Sequence, residues 1–446
     1  MQKHLCCCMR RYNKKYSLIH FVKKIMNKYL VLFKNNLFRL KNVSLYFSAS
    51  LIQGLVSLAI NPLIAMNMSH YDYALTGFFT SFNSLILPLL SLMFGQYFNR
   101  HYFKLNSNEE RDELAARLVS TRLLFNLFEI VFILIIFYIY ANVQNIEFPV
   151  FPYAIITFST IIFNNVYDFY LLKLKMGKRA DHFFKISLYH TIILVASNLL
   201  LVVLFKLGAL GKLLAPLITY IILFVYLLPK ITKKLVLDKK IFLDALKFCW
   251  PLVIAGALGY FFTGFDRALL VNLNDNVQLG LYNVAIGISG YLMIFQTSIN
   301  NTFQPDIFEA VAKNNKKKLI TIIGGINLLN LIPIIIFIIF APFIIKILTA
   351  GRFTDAYVYA RVLSLTNVTS SIYYSMSSVI IAYGYTGIAL INKIVGAIIS
   401  FFLYKLLITN FEFYGAAWGH ALSFVGMTIV CLIMLYIKKM KKNKRI

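Results

Sequence analysis

Acidic residues are scarce in this 446-residue chain: 17 Asp and Glu stand against 45 Lys and Arg, a formal net charge of +28. Charge of either sign is thin, at 14% of residues, where soluble domains carry about 25%. Cysteine is confined to Cys6, Cys7, Cys8, Cys249 and Cys431. An odd count without a CxxC pair or a His/Cys cluster excludes a disulfide framework and a zinc module, and leaves free cytoplasmic thiols. The Cys6-Cys7-Cys8 run beside basic residues is at most an acylation site. No GxxxxGK[ST] loop, GxGxxG turn, GxSxG elbow or HExxH pair occurs, so neither a nucleotide site nor a standard hydrolase nucleophile is visible. No catalytic residue, metal or cofactor is expected.

What is present is apolar mass. Hydrophobic residues make up 59% of the chain and mean hydropathy is +0.72, against about 45–50% apolar residues in soluble proteins. That is enough for about 12 helices of about 20–22 residues each. Backbone polar groups in hydrocarbon must be satisfied within the segment, so the spans are helical. The sequence predicts an all-α polytopic membrane protein with runs near 43–66, 73–98, 123–141, 149–172, 186–207, 209–229, 249–271, 278–301, 320–345, 357–384, 389–409 and 414–437.

Loop charge tests that count, because Lys and Arg accumulate in cytoplasmic loops. Loops assigned inside carry Arg100, Lys104, Arg111 and Arg117; Lys173, Lys175, Lys178, Arg179 and Lys185; Lys230, Lys233, Lys234, Lys239, Lys240 and Lys247; and Lys313, Lys316, Lys317 and Lys318. Loops assigned outside, near 67–72, 142–148, 272–277 and 410–413, carry none, and the remaining two outer loops carry only Lys206 with Lys212 and Lys346 with Arg352. The alternation holds throughout, which places both termini in the cytoplasm. A surplus that would point to nucleic acid on a soluble domain is here a signature of orientation, and no nucleic-acid partner is expected.

The expected organisation is a basic amphipathic segment over 1–42, a first six-helix lobe over 43–229, a cytoplasmic linker over 230–248, a second lobe over 249–437 and a basic tail over 438–446. The first segment has Leu18, Val22, Ile25, Tyr29 and Phe33 on one helical face, suited to an anionic inner leaflet. A start at Met26 would make the residues before it dispensable.

Polar residues are unevenly spread. Gln53 and Asn61 fall in the first run, Asn83 in the second, Asn164, Asn165 and Asp168 in the fourth, Asn283, Gln296 and Asn300 in the eighth, and Asn367 in the tenth. The third and ninth runs are apolar over 130–140 and 332–340, fit for lipid. Polar groups in spans are costly unless they face the bundle interior or water. Spans 1, 2, 4, 7, 8 and 10 are therefore expected to line a central cavity, the bland alternative being hydrogen bonds between packed helices. Among ionisable residues in spans, Arg267 and Arg361 are candidate cavity cations for an anionic substrate. Asp266, Glu129 and Asp168 are candidate coupling or structural acids, with Asp266 read first as a structural ion pair. Lys393 and Lys405 are expected to snorkel, and His190 and His420 to be satisfied interior histidines.

A family pattern lies in the second half. Lys247-Phe248-Cys249-Trp250-Pro251-Leu252, Phe265-Asp266-Arg267, Leu279-Gly280-Leu281-Tyr282-Asn283-Val284-Ala285, Phe303-Gln304-Pro305 and Tyr414-Gly415-Ala416-Ala417-Trp418-Gly419 together resemble the polysaccharide repeat-unit (O-antigen and capsule, Wzx-type) flippases of the MOP exporter superfamily. The first half matches in outline, with Ala74 where that family usually has glycine. The resemblance implies an alternating-access fold of two six-helix lobes, similar to MATE transporters. It also implies translocation of undecaprenyl-diphosphate-linked oligosaccharide across a bacterial inner membrane, through a cationic cavity, with a polymerase and chain-length regulator as pathway partners. A drug/cation antiporter of the same superfamily is the nearest alternative. A membrane glycan polymerase or glycosyltransferase is a third, disfavoured by outer loops too short to build a catalytic subdomain.

Overall fold

The computed structural model describes residues 45, 48, 49, 51–102, 104–383 and 386–443. The expectations for 1–42, for the cysteine run and for the side chains of the tail lie outside the described residues. Every regular element among the described residues is helical. In chain order these are α1 (Leu51–Met66), α2 (His70–Ser81), α3 (Asn83–Ser91), α4 (Phe94–Tyr102), α5 (Asn108–Val143), α6 (Tyr153–Met176), α7 (Ala180–Asn198), α8 (Gly208–Ile231), α9 (Lys239–Ala257), α10 (Tyr260–Thr263), α11 (Phe265–Leu270), α12 (Asn276–Gly290), α13 (Leu292–Ala312), α14 (Lys316–Leu348), α15 (Tyr357–Ala382) and α16 (Thr386–Asn443). Among the described residues, nine helical stretches are long and apolar enough to cross a membrane.

Short polar side chains start the helices. Ser69 and Asp72 form a reciprocal capping box on α2, and Ser107, Asp238, Asp275 and Asn315 cap α5, α9, α12 and α14, each satisfying an otherwise orphaned N–H. Asp72 does double duty. Its Oδ2 accepts from the Ser69 N–H at 2.8 Å, and its Oδ1 accepts from the Ala209 N–H at 2.8 Å, so one carboxylate joins the N-termini of α2 and α8.

Three crossings are broken rather than continuous. Leu92 and Met93 adopt left-handed φ of 40° and 53° between α3 and α4. A turn at Gly264 separates α10 from α11. α16 is two arms folded back at Glu412 (φ 48°, ψ −128°). The arms run antiparallel: a Cβ on Gly419 would stand 2.6 Å from the Tyr404 ring, and one on Gly415 2.0 Å from the Leu407 carbonyl oxygen. The small-residue spacing of 415–419 serves this close approach.

Outward faces are apolar. α5 exposes Leu127, Phe128, Val131, Phe132, Ile135 and Ile136, and α14 exposes Leu328, Ile332, Ile335, Ile336, Ile339 and Phe340, the residues that lipid would cover. Inside the first half, Phe78 meets Phe79 and Phe82 edge-on at 5.3 Å each, with Phe137 and Phe158 behind them. Between helices in lipid such van der Waals packing, rather than water exclusion, supplies the association energy.

The two halves meet along α2 and α12. A Cβ on Gly77 would fall 1.9 Å from Asn283 Cγ, and one on Gly280 2.4 Å from the His70 carbonyl oxygen. α9 belongs physically to both halves. Its first turns lie against α5 and α4, with Phe242 stacked on Phe125 at 4.0 Å and the Arg100 guanidinium 4.5 Å over Phe248. The linker before it is clasped to α5: Thr121 accepts the Asp238 N–H at 3.0 Å and donates to the Val236 carbonyl at 3.2 Å.

Asp238 also accepts from Arg117 at 2.7 Å. The Ile241 N–H and then the Arg117 guanidinium hold its carboxyl below the usual carboxylate range. A lowered folded pKa means the clasp is fully present above the ordinary carboxylate value and is lost as pH falls through the folded one. Amide exchange over 232–238 is therefore expected to accelerate on acidification below about pH 4. Asp238→Asn is expected to show faster exchange already at neutral pH, without the acid step.

Candidate functional site

Asp266 is fully buried, and three polar side chains surround its carboxylate. Tyr282 Oη on α12 donates to it at 2.7 Å, His420 Nε2 on α16 stands 3.3 Å away, and Arg267 Nε lies at 3.9 Å. The cluster ties α11 to α12 and to the second arm of α16. Removing one member of a buried charge cluster strands the rest, which is costly. Arg267 reaches beyond the cluster: it donates to the Thr263 carbonyl at the end of α10 and, at 3.4 Å, to the Gly77 carbonyl on α2. Its guanidinium thus sits at the seam between the halves. Arg361 points elsewhere, its Nε donating to the Ile338 carbonyl of α14 at 3.0 Å and its Cζ lying 5.0 Å over the Tyr357 ring. The two arginines belong to different neighbourhoods.

Several polar residues in spans make helix-to-helix bonds. Gln53 Nε2 lies 3.4 Å from both the Ser187 carbonyl and His190 Nδ1 on α7. Asn61 donates to the Leu348 carbonyl at 2.8 Å, and Asn367 to the Ser289 carbonyl at 3.5 Å. Asn283 returns to the Leu279 carbonyl of its own helix at 2.9 Å while filling the space over Gly77. His190 stacks on Tyr167 at 4.9 Å. Lys393, expected at a lipid interface, instead lies over the rings of Phe262 and Tyr373 at 5.1 and 5.6 Å. The cause is the approach of α10 and α15 to the first arm of α16, which periodicity does not reveal. Lys405 is exposed.

Others line cavities. In the first half, α3, α4, α5 and α6 enclose about 380 Å³ between Pro88, Gln96, Arg122, Asn126, Asn165 and Asp168, among others. Next to it, sharing Leu87, lies a cavity of about 300 Å³ lined by Thr80, Asn83, Thr157, Thr160, Asn164 and Tyr220. Asn164 donates to Asp168 at 3.1 Å, a polar link from one cavity to the other. Asp168 is exposed. In the second half, α13 and α15 border about 330 Å³ lined by Gln296, Thr297, Asn300, Gln304, Ser377 and Ser378. Gln296 is held there by Ser370 at 2.9 Å. α2, α3, α4, α6 and α8 of one half, and α13 and α15 of the other, supply polar lining, and so does α5 through Arg122 and Asn126, ahead of the apolar stretch expected to face lipid.

Arg122 is the residue that sequence reasoning missed. It is 6% exposed, its Nη2 donates to Asn126 Oδ1 at 2.9 Å, and its Nε and Nη1 have no hydrogen-bond partner. Among the described residues no carboxylate lies within 4.0 Å of it. Glu129 follows on the same helix with Oε2 unpartnered. Positions 122, 126 and 129 share one helical face, a signal readable from spacing alone. Nε and Nη1 are themselves buried beside a largely apolar cavity, so a small shift of the side chain is what would present a charged fork to an oxyanion.

The described helices pack as two halves, each bordering a half-open cavity whose lining mixes apolar and polar side chains. The chain belongs to the family described as "Polysaccharide biosynthesis protein", whose model matches residues 39–311. It is similar to the probable low-salt glycan biosynthesis flippase Agl15 of Haloferax volcanii, with 23% identity over 182 residues, 40% of this chain and 39% of that protein. The match thus spans about two-fifths of the relative's length. The fold is similar to the inward closed conformation of the lipid II flippase MurJ, with a TM-score of 0.66 at 16% identity, covering 88% of this chain and 87% of that one. It is also similar to an inward-facing multidrug resistance MATE family transporter of the MOP superfamily, with a TM-score of 0.65 at 13% identity, covering 90% and 98%. At these identities both structures speak to fold alone.

Proposed function

We propose that the protein is an alternating-access flippase that carries a polyprenyl-diphosphate-linked oligosaccharide from the inner to the outer leaflet of a bacterial cytoplasmic membrane. In this reading twelve spans form two six-helix lobes with both termini cytoplasmic, and undecaprenyl is the carrier lipid. A polymerase and a chain-length regulator take up the product.

The observation that carries the reading is Arg122: a buried guanidinium with two unpartnered nitrogens, in the wall of a largely apolar cavity that also holds Gln96, Asn126, Asn165 and Asp168, in a chain of the polysaccharide biosynthesis family. A diphosphate and a chain of hydroxyls cannot cross hydrocarbon unaided. A polar cavity shelters them while the polyprenyl tail stays in lipid, and no covalent chemistry is needed. Arg122 grips the head group, and Asn83, Asn164, Gln296 and Asn300 offer amides to the sugar. Asp168 and Glu129 balance the cation or carry a coupling proton.

The halves are latched at the end whose loops carry few Lys and Arg, only Lys206, Lys212, Lys346 and Arg352, the outer end by charge. Arg352 donates to the Ala65 and Met66 carbonyls, Asn61 to Leu348, and Arg267 to Gly77. Opening outward breaks these bonds and frees Arg267 for the passing diphosphate; Arg361 follows if α15 withdraws from α14. Arg352→Ala is expected to favour the outward-open form, read as several-fold faster labelling of a cysteine introduced at Ala65 by a membrane-impermeant thiol reagent. Unchanged labelling argues against the latch.

The test of function is depletion of the protein in its own cell. Lipid-linked oligosaccharide is expected to accumulate on the inner leaflet and surface polysaccharide to disappear. Intact surface polymer with lost resistance to cationic dyes would instead support the antiporter reading, for which Asp168 is the acid at hand.

A further inference from the structure

We infer that the inner end of the first half carries a second, separate anion pocket that holds the phosphodiester head group of an anionic phospholipid. The cavity measures about 400 Å³ where the α4–α5 loop, the α6–α7 turn and the end of α8 converge, and its lining includes Arg111, Lys173, Lys178, Arg179 and Lys230 against the single carboxylate of Asp112.

Two of the cations are spent on building the walls. Arg111 donates to the Tyr102 carbonyl at 3.0 Å, the Leu105 carbonyl at 2.9 Å and Asn108 Oδ1 at 3.1 Å. Lys173 pairs with Asp112 at 2.8 Å. Lys178, Arg179 and Lys230 have no carboxylate within salt-bridge reach among the described residues. The turn that carries the first two is fixed by the Gly177 N–H on Lys173 O at 3.0 Å and the Arg179 N–H on Leu174 O at 2.9 Å, with Lys178 at φ 56°. Lys178 and Arg179, with Lys230 held over an aromatic ring, are exposed cations without a carboxylate partner around one void on a fixed backbone frame, a concentration of positive charge that draws an anion.

Position selects the lipid. Lys173 and Lys230 occupy the last turns of α6 and α8, where the apolar crossings end. The Lys230 ammonium lies 3.4 Å from the centre of the Tyr226 ring, and Tyr226 is exposed on the outward face of α8. An aromatic ring and a cation together at the end of a span mark the head-group layer. This inference needs only that the chain is a membrane protein, and it stands whether or not the substrate proposed above is right.

The test uses the full chain, purified in detergent, with native mass spectrometry after addition of phosphatidylglycerol, phosphatidylcholine or inorganic phosphate. Phosphatidylglycerol is expected to be retained over phosphatidylcholine. Lys178→Gln/Arg179→Gln/Lys230→Gln is expected to weaken that retention by about tenfold or more, while the charge-matched control Lys233→Gln/Lys234→Gln/Lys240→Gln leaves it unchanged. Equal losses in both variants, or no preference for phosphatidylglycerol, would overturn the pocket. Retention of inorganic phosphate, abolished by the first variant and unmatched by any lipid preference, would overturn the lipid assignment and give the site to a soluble phosphate.

Discussion

Asp266→Leu is expected to deplete folded protein from the membrane more than any other single substitution. The change leaves Tyr282 Oη, His420 and part of Arg267 in a buried site with no acceptor. Breaking such a cluster from one side costs about 3–5 kcal/mol, a large share of the stability of any single protein. Leucine shares the branched shape but is larger, and overpacking is itself destabilising, so Asp266→Asn, which keeps the volume, is the control that separates lost charge from crowding. The same logic predicts partial rescue: Asp266→Leu combined with Tyr282→Phe and His420→Leu removes the stranded partners as well, and should recover a good part of the detergent-soluble yield. A single variant with wild-type melting behaviour would show that the cluster carries no structural charge. No rescue by the triple variant would show that the carboxylate is needed for something other than pairing.

The second large effect is expected at Arg122. Charge-assisted hydrogen bonds contribute about 1.5–3 kcal/mol each, and two donors are free, so Arg122→Leu should cut transport of a diphosphate-linked substrate by about a hundredfold or more. Arg122→Lys keeps the charge but loses the forked geometry, and should retain an intermediate rate. The control is stability. Leucine at this position removes a buried cation but also strands Asn126 Oδ1 and leaves Glu129 without the countercharge, so melting is measured beside transport, and loss of transport with intact folding separates function from structure. Transport at the parental rate in Arg122→Leu would remove this residue from the route.

These two sites differ in how visible they were before any coordinates. The helical class was plain in composition, and the exposed apolar rows on α5 and α14 are the runs whose lack of polar residues already assigned them to lipid. The structural alternative for Asp266 was readable as well, because a lone carboxylate in hydrocarbon must find donors. Which donors it finds was not readable: Tyr282 and His420 lie on other helices, and a one-dimensional pattern holds no information about crossing angles. Arg122 was overlooked for a simpler reason. It sits one residue before the apolar run that begins at 123, where a cation reads as part of a basic loop, although its spacing to Asn126 and Glu129 marks one helical face. The polar residues of the spans looked alike in sequence. The structure divides them: Gln53, Asn61, Asn283 and Asn367 go to helix contacts, and Asn83, Asn164, Gln296 and Asn300 to cavity walls. Only packing decides that division. The breaks at Leu92, Gly264 and Glu412 were hidden too, since none is at a proline.

Translocation itself is measured in sealed vesicles. The purified protein is reconstituted with a fluorescent undecaprenyl-diphosphate oligosaccharide, and the fraction accessible to a soluble glycosidase is followed over time. The account predicts that the whole protein exposes label from the inner leaflet far faster than protein-free vesicles, and that Arg122→Leu returns the rate close to that background. Equal rates with and without the protein, in vesicles where it demonstrably drives the exchange of a cationic dye against protons, would contradict it.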